Sequence, residues 1–160
     1  MSRYPLITGF TTNPTLMRKA GIQDYKEFAQ EVLRAIPDRP ISFEVLADHF
    51  DEMGRQALEI NSWGRNVSVK IPVTNTENQF AGPLISRLSE AGVALNVTAV
   101  MSLDQVESVT ACLSTGTPAI ISVFAGRIAD TGRDPMPLMA EAVRIMQVKP
   151  KAELIWASPR

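Results

Sequence analysis

Apolar and polar positions alternate with a period of two in six short stretches of the chain, and the longer stretches between them carry apolar residues at helical spacing. Leu6–Thr11, Ile41–Leu46, Val67–Val73, Val93–Val100, Ala119–Ala125 and Ala152–Ala157 read as strands. Those beginning at Ile41, Val67, Val93 and Ala119 recur every 26 residues, which leaves room for one helix and two loops per step. Tyr25, Phe28, Val32, Leu33 and Ile36 fall on one helical stripe, as do Phe80, Leu84, Ile85 and Leu88, and again Val106, Val109 and Leu113. Ser102 with Gln105 matches a capping box ahead of the last of these, and Gly92 is placed as a stop after Leu88. The loop Asp134–Met139 feeds a final helix carrying Leu138, Val143 and Met146.

Six strands alternating with helices predict a parallel sheet covered by helices, either an open doubly wound sheet or part of a (β/α) barrel. The strand parity decides between them. In VSVKIPVT, Val67, Val69, Ile71 and Val73 share one face, while Ser68, Lys70, Pro72 and Thr74 share the other. The same second face holds Ser42 and Glu44 in ISFEVL, Asn96 and Thr98 in ALNVTAV, and Ser122 in IISVFAG. Central strands of an open sheet are apolar on both faces, whereas polar groups on one face of successive strands converge when that face is wrapped inward. The expected fold is therefore α/β, part of a (β/α) barrel and not an open sheet.

A chain of 160 residues, 45% of them hydrophobic, fits one domain, residues 1–160, with no linker or repeat to divide it. Lys and Arg number 16 against 17 Asp and Glu, and no run of like charge marks a nucleic-acid or membrane partner. Cys112 is the only cysteine, without metal-ligand spacing around it, so the expectation is a reduced, cytoplasmic setting and no metal site. No stretch approaches the ~18 apolar residues of a membrane span, and MSRYPLITG does not read as a secretory leader.

Lys70 is the sharpest candidate for chemistry, because an amine held in a confined, partly apolar site can attack a carbonyl carbon. Its plainer reading is an ion pair with Glu44 and nothing more. Glu44, on the neighbouring strand at similar depth, can shuttle protons through water during imine chemistry, or merely compensate the Lys70 charge. Thr98 can hold that water or be present for its β-propensity. The Asn13 and Asn96 amides can bind sugar hydroxyls, although Asn13 before proline is also a common turn device. Ser122 and Arg127, with Ser158 and Arg160, fall at the ends of the last two strands, where barrels bind phosphate; solvated surface arginines are the alternative. His49, Cys112 and Trp63 are assigned no chemistry.

Taken in order, TTNP with Thr11 and Asn13, FEVLA with Glu44, VSVKIPVT with Lys70, LNVTAV with Asn96 and Thr98, SVFAGRIAD with Ser122 and Arg127, and ASPR with Ser158 and Arg160 resemble the transaldolase family across nearly the whole chain. The resemblance implies a barrel enzyme without a cofactor, a transferase that moves a dihydroxyacetone unit between sugar phosphates in the pentose phosphate pathway through a lysine Schiff base. The related fructose-6-phosphate aldolases release that unit instead. By position, Lys70 would form the Schiff base, and Glu44 with a water held by Thr98 would handle protons. Asn13 and Asn96 would hold the dihydroxyacetone moiety, Ser122 would contact its terminal hydroxyl, Thr11 would also bind substrate, and Arg127, Ser158 and Arg160 would grip the acceptor's phosphate. Glu44 stands where the aldolases carry glutamine and Phe124 where they carry tyrosine, which points toward transfer.

The resemblance implies a (β/α)8 TIM barrel; counted against it, the six strands correspond to strands two to seven, so the barrel is expected to be incomplete, with about six βα units, lacking the first strand and the eighth βα unit. The family's first strand bears an aspartate that takes a proton during carbon–carbon cleavage, about twenty residues ahead of TTNP, and here MSRYPLITG stands in front. Imine formation with impaired turnover is expected, together with homo-oligomer formation or association through exposed sheet edges. A sugar-phosphate-binding remnant and a phosphate-binding isomerase without covalent chemistry are the rival readings.

Overall fold

The computed structural model describes residues 6–159. Along that stretch the elements are β1 (Phe10–Thr11), α1 (Pro14–Lys19), α2 (Tyr25–Ala35), β2 (Ile41–Glu44), α3 (Phe50–Asn61), β3 (Val67–Pro72), α4 (Gly82–Glu90), β4 (Leu95–Val100), α5 (Leu103–Cys112), β5 (Ala119–Val123), α6 (Ala125–Asp130), α7 (Met136–Met146) and β6 (Ala152–Trp156). The strands form one sheet in sequence order, every neighbouring pair parallel. Right-handed crossovers between successive neighbours in such a sheet place the helices on one face and leave the other free to line an interior. This winding belongs to a barrel and not to a doubly wound sheet, so the expected incomplete (β/α) barrel is the fold observed.

The interval of 26 residues is the sheet register itself. Ile41 pairs with Val67, Glu44 with Lys70, Lys70 with Asn96 and Pro72 with Thr98. The regularity ends at β5, where Ala119 pairs with Leu95 and not with Val93. Several strands are shorter than their alternation predicts: Leu6 to Gly9 lie ahead of β1, and Leu6 is 92% exposed. Alternation reports which face a residue turns to, whereas a ladder also needs a partner, and β1 has partners only at Ile41 and Ser42.

On the helix side of the sheet, Ile41, Phe43, Val69, Ile71, Leu95, Val97 and Ile121 pack against Ala29, Met53, Ala57, Ile85, Leu88 and Val106 in one continuous core. Three local signals place the helices. Asp24 caps α2, accepting the Glu27 amide at 2.9 Å. Ser102 caps α5 through the Gln105 amide, while the Gln105 side chain reaches back one residue further than in a standard capping box, to the Met101 amide at 2.8 Å. Gly92 follows α4 with φ +82°, the left-handed turn that glycine enters at least cost. The Asn66 side chain donates to the carbonyls of Ile36 (2.9 Å) and Arg39 (2.8 Å), tying the loop before β3 to the end of α2.

Candidate active site

The free face of the sheet is lined at its centre by polar residues from four successive strands. Glu44 on β2 lies opposite Lys70 on β3, which lies opposite Asn96 on β4, and Ser122 follows on β5. Lys70 Nζ is 3.0 Å from Glu44 Oε2, with side-chain exposures of 12% and 22%. That leaves the pair largely shielded from solvent yet not sealed, as a site that admits a small molecule requires. Beside it, Ser122 Oγ donates to Asn96 Oδ1 at 2.7 Å, and Asn96 Nδ2 donates to Ser42 Oγ at 3.0 Å, all three residues being buried.

The Asn96–Ser42 bond measures the curvature of the sheet. β2 and β4 are separated by β3, so on a flat sheet their side chains would stand two strand spacings apart, roughly 10 Å. A direct hydrogen bond between them requires the face to be concave. The sheet is thus curled inward at the level of Lys70, as in part of a barrel wall.

Thr98 follows on β4, opposite Pro72, and its hydroxyl is buried without a hydrogen-bond partner among the described residues. The next residue, Ala99, has φ +63°, and it lies between Val97 and Val100, where the β4–β5 register shifts by one residue. A non-glycine residue in this region costs of order 1–3 kcal/mol and is sustained where surrounding structure fixes it. The slip leaves Val97 and Val100 both buried, so the strain accompanies a rearranged strand end beside the orphan Thr98 hydroxyl.

The remaining candidates are placed differently. Thr11 and Asn13 stand at the end of β1, both exposed, and Asn13 Oδ1 accepts the Leu16 amide at 3.1 Å as the cap of α1. Among the described residues no hydrogen bond joins either to the Lys70 cluster. Arg127, expected beside a turn at a strand end, lies within α6, exposed, its guanidinium 4.7 Å from the Phe124 ring centroid. The helix forms because Ala125, Gly126 and Ile128 turn to the core and fix the segment. Ser158 lies just past β6 with φ +57°, and its carbonyl presses on Gly126. Arg160 lies outside the described residues. A cleft of 560 Å³ lined by Met101, Ile128, Arg133, Leu138 and Arg144 contains none of the candidate residues, so it is set apart from this chemistry.

Two contributors escaped the sequence reading as site residues. Ser42 shares the parity of Glu44, and that was its available signal. Tyr25 lies on an apolar stripe of α2, yet its hydroxyl accepts the Glu44 amide at 2.7 Å and donates to the Glu44 carbonyl at 3.1 Å. Burial pushes the Tyr25 phenol pKa up, against the opposing pull of hydrogen bonds involving Thr12 and the Glu44 backbone. On the loop after β2, Asp48 accepts both the hydroxyl (2.6 Å) and the amide (2.9 Å) of Thr76, and these bonds hold its carboxyl below the usual range.

The chain matches the family model described as Transaldolase/Fructose-6-phosphate aldolase over residues 1–160. It is 39% identical over 140 residues to a "Probable transaldolase" of Dehalococcoides mccartyi, which covers 88% of this chain and 61% of that protein. It is 36% identical over 161 residues to a "Probable transaldolase" of Streptococcus agalactiae serotype V, covering 100% of this chain and 70% of the relative. A "Probable transaldolase" of a Roseiflexus species is 38% identical over 156 residues, 97% of this chain and 67% of the relative. The chain thus spans about three fifths of the first relative's length and about two thirds of the others'. With its parallel strands wound in sequence order about an inward Lys70–Glu44 pair, the chain belongs to the transaldolase and fructose-6-phosphate aldolase family.

Proposed function

We propose that Lys70 forms a Schiff base with a ketose phosphate and that the chain carries the chemistry of a transaldolase, moving a dihydroxyacetone unit between sugar phosphates. One observation carries the reading: the Lys70 amine sits 3.0 Å from a carboxylate, on the concave face, in a setting both shielded and open to a ligand. The amine passes a proton to Glu44 or to water and adds to the ketose carbonyl carbon. The C–N bond forms as the carbonyl electron pair moves to oxygen, which takes up the proton. Glu44 then takes a second proton from the carbinolamine nitrogen and returns it to the hydroxyl, so that water leaves with the C–O electron pair and a protonated imine bearing one N–H remains. That imine is the electron sink for carbon–carbon cleavage: the bond's electron pair enters an enamine and the neighbouring hydroxyl gives its proton, through water, to the Glu44 carboxylate as the aldose departs. Attack of the enamine on a second aldose and hydrolysis of the imine complete the transfer.

Asn96 and Ser122 hold the hydroxyls of the bound unit in this reading, their amide and hydroxyl already oriented by each other and by Ser42. Thr98 holds the water through which Glu44 works, and its unpartnered buried hydroxyl supports that role. Thr11 and Asn13 border the site at the end of β1, while Arg127, Ser158 and Arg160 receive phosphate. Work in a reduced cytoplasm, within the pentose phosphate pathway, and association of copies along the edge strands β1 and β6 complete the proposal; a sedimentation profile showing monomer alone removes the last element.

A second reading has its own observation. Among the described strands the carboxylates are Glu44 and Glu153, and no aspartate lies on them. Imine formation without cleavage is the expected behaviour if the proton released during carbon–carbon cleavage has no acceptor. One experiment tests both readings. The chain is incubated with fructose 6-phosphate, reduced with borohydride and digested; the Lys70 peptide gains the mass of the reduced adduct, and Lys70→Met gains none. Absence of adduct in the wild-type chain overturns the Schiff-base reading. An adduct without aldose release or transfer selects the second. Persistence of sugar-phosphate conversion in Lys70→Met would identify a non-covalent isomerase.

A further inference from the structure

β1 ends at Thr11, opposite Ser42 and two residues short of Glu44, so the side of β2 that faces β1 is left without a strand partner where the catalytic carboxylate branches off. Thr12 covers the first gap, its amide and hydroxyl both donating to the Ser42 carbonyl at 2.9 Å. At Glu44, the backbone N–H and C=O point to the same side, as they do for any strand residue, and a single phenol takes both. Tyr25 Oη lies 2.7 Å from the Glu44 nitrogen and 3.1 Å from its carbonyl oxygen, accepting from one and donating to the other. It does at one point what an adjacent strand does along its length.

The phenol is itself held firmly. The Tyr25 ring meets Phe43 and Trp63 edge-on, with centroids 6.2 and 5.5 Å away, and Phe43 is fully buried. Tyr25 opens α2, whose cap at Asp24 fixes where the helix starts. The Glu44 side chain starts from the clamped residue and ends 3.0 Å from Lys70 Nζ on the next strand.

From this geometry we propose that Tyr25 is a positioning residue: its hydroxyl clamps the Glu44 backbone and so sets the carboxylate at proton-transfer distance from Lys70. The proposal rests on the Schiff-base reading for its chemical meaning, but the clamp can be observed without it. Raised by burial, the phenol keeps its proton through the working range, so it remains both donor and acceptor there.

The test is a double-mutant cycle on the full chain, with Tyr25→Phe, Glu44→Gln and the double variant, reading the rate at which borohydride traps fructose 6-phosphate on Lys70. Tyr25→Phe keeps the ring between Phe43 and Trp63 and is expected to slow trapping about tenfold, the worth of a well-made hydrogen bond. In the Glu44→Gln background the same change should alter the rate less than about twofold, because the group it positions no longer acts. An equal loss in both backgrounds, or a wild-type rate in Tyr25→Phe, overturns the proposal. A second readout needs neither chemistry nor a variant that folds: in the wild-type chain the Glu44 amide should resist hydrogen exchange as strongly as that of Val69, which lies inside the ladder. Free exchange at Glu44 removes the clamp even where trapping succeeds. Protection at Glu44 with no trapping in the wild type discards the Schiff-base reading and leaves the clamp standing.

Discussion

Replacing Gly126 by alanine tests how the end of β6 is seated. A Cβ built on Gly126 would fall 2.8 Å from the Ser158 carbonyl carbon, closer still to its oxygen, and 3.4 Å from Pro159 Cα. These are backbone atoms, so no side chain can swing aside to make room, and the segment must retreat by more than an ångström. That retreat also strains the bond from the Gly126 amide to the Ala157 carbonyl, 3.3 Å, and pulls on the Ala157 amide that donates to Val123 at 2.7 Å. Overpacking of this kind costs about 1–3 kcal/mol. For a chain of this size the melting temperature should fall by roughly 3–10 °C. Thermal unfolding followed by far-UV circular dichroism reads it, with Gly116→Ala as control. A Cβ at Gly116 meets only Ser114 Oγ, at 3.8 Å, and that variant should stay within about 0.5 kcal/mol of wild type. If Gly126→Ala melts with the control, the Ser158 segment is not seated on α6.

Thr98→Val removes a buried hydroxyl that has no partner among the described residues while keeping the branched shape. Stability should hold or rise slightly, whereas Lys70 trapping should slow by about tenfold or more if the hydroxyl orients the water of proton transfer; unchanged trapping returns Thr98 to a packing role. Asp48 has its carboxyl pKa lowered by the Thr76 hydroxyl and amide, so the stabilisation it gives is fully present above its unfolded value, 3.8, and is lost as pH falls through the lower folded value. The Thr76 amide resonance should therefore titrate with a midpoint below 3.8; a midpoint at or above 3.8 contradicts the assignment. Asp48→Asn should abolish that titration.

Much of the inner face was legible because a strand has only two sides. Once Val67, Val69 and Ile71 are given to the core, Ser68 and Lys70 have no other direction, and the constant interval brings Glu44, Lys70 and Asn96 into one row. What the alternation does not report is the shape of the sheet and the company of its edges. Ser42 meets Asn96 only because the wall is concave, a property of several strands together. Tyr25 lies on an apolar stripe and behaves as a core residue over most of its surface, its single polar atom being the part that matters. The GR pair at Gly126 and Arg127 resembles a turn in isolation, yet burial of Ala125 and Ile128 makes it a helix. Asn13 before a proline suits a turn device as well as a sugar ligand, and its oxygen is engaged in capping α1.

The bridge from Asn96 to Ser42 over β3 makes the aliphatic layer behind that strand a spacer for the polar groups in front of it. Bulk added at Val69 or Ile71 would flatten the wall and separate the amide from the hydroxyl without altering either. Variation in that hidden layer can therefore shift the spacing of the inward polar groups, and sequence drift confined to greasy positions need not be silent for them.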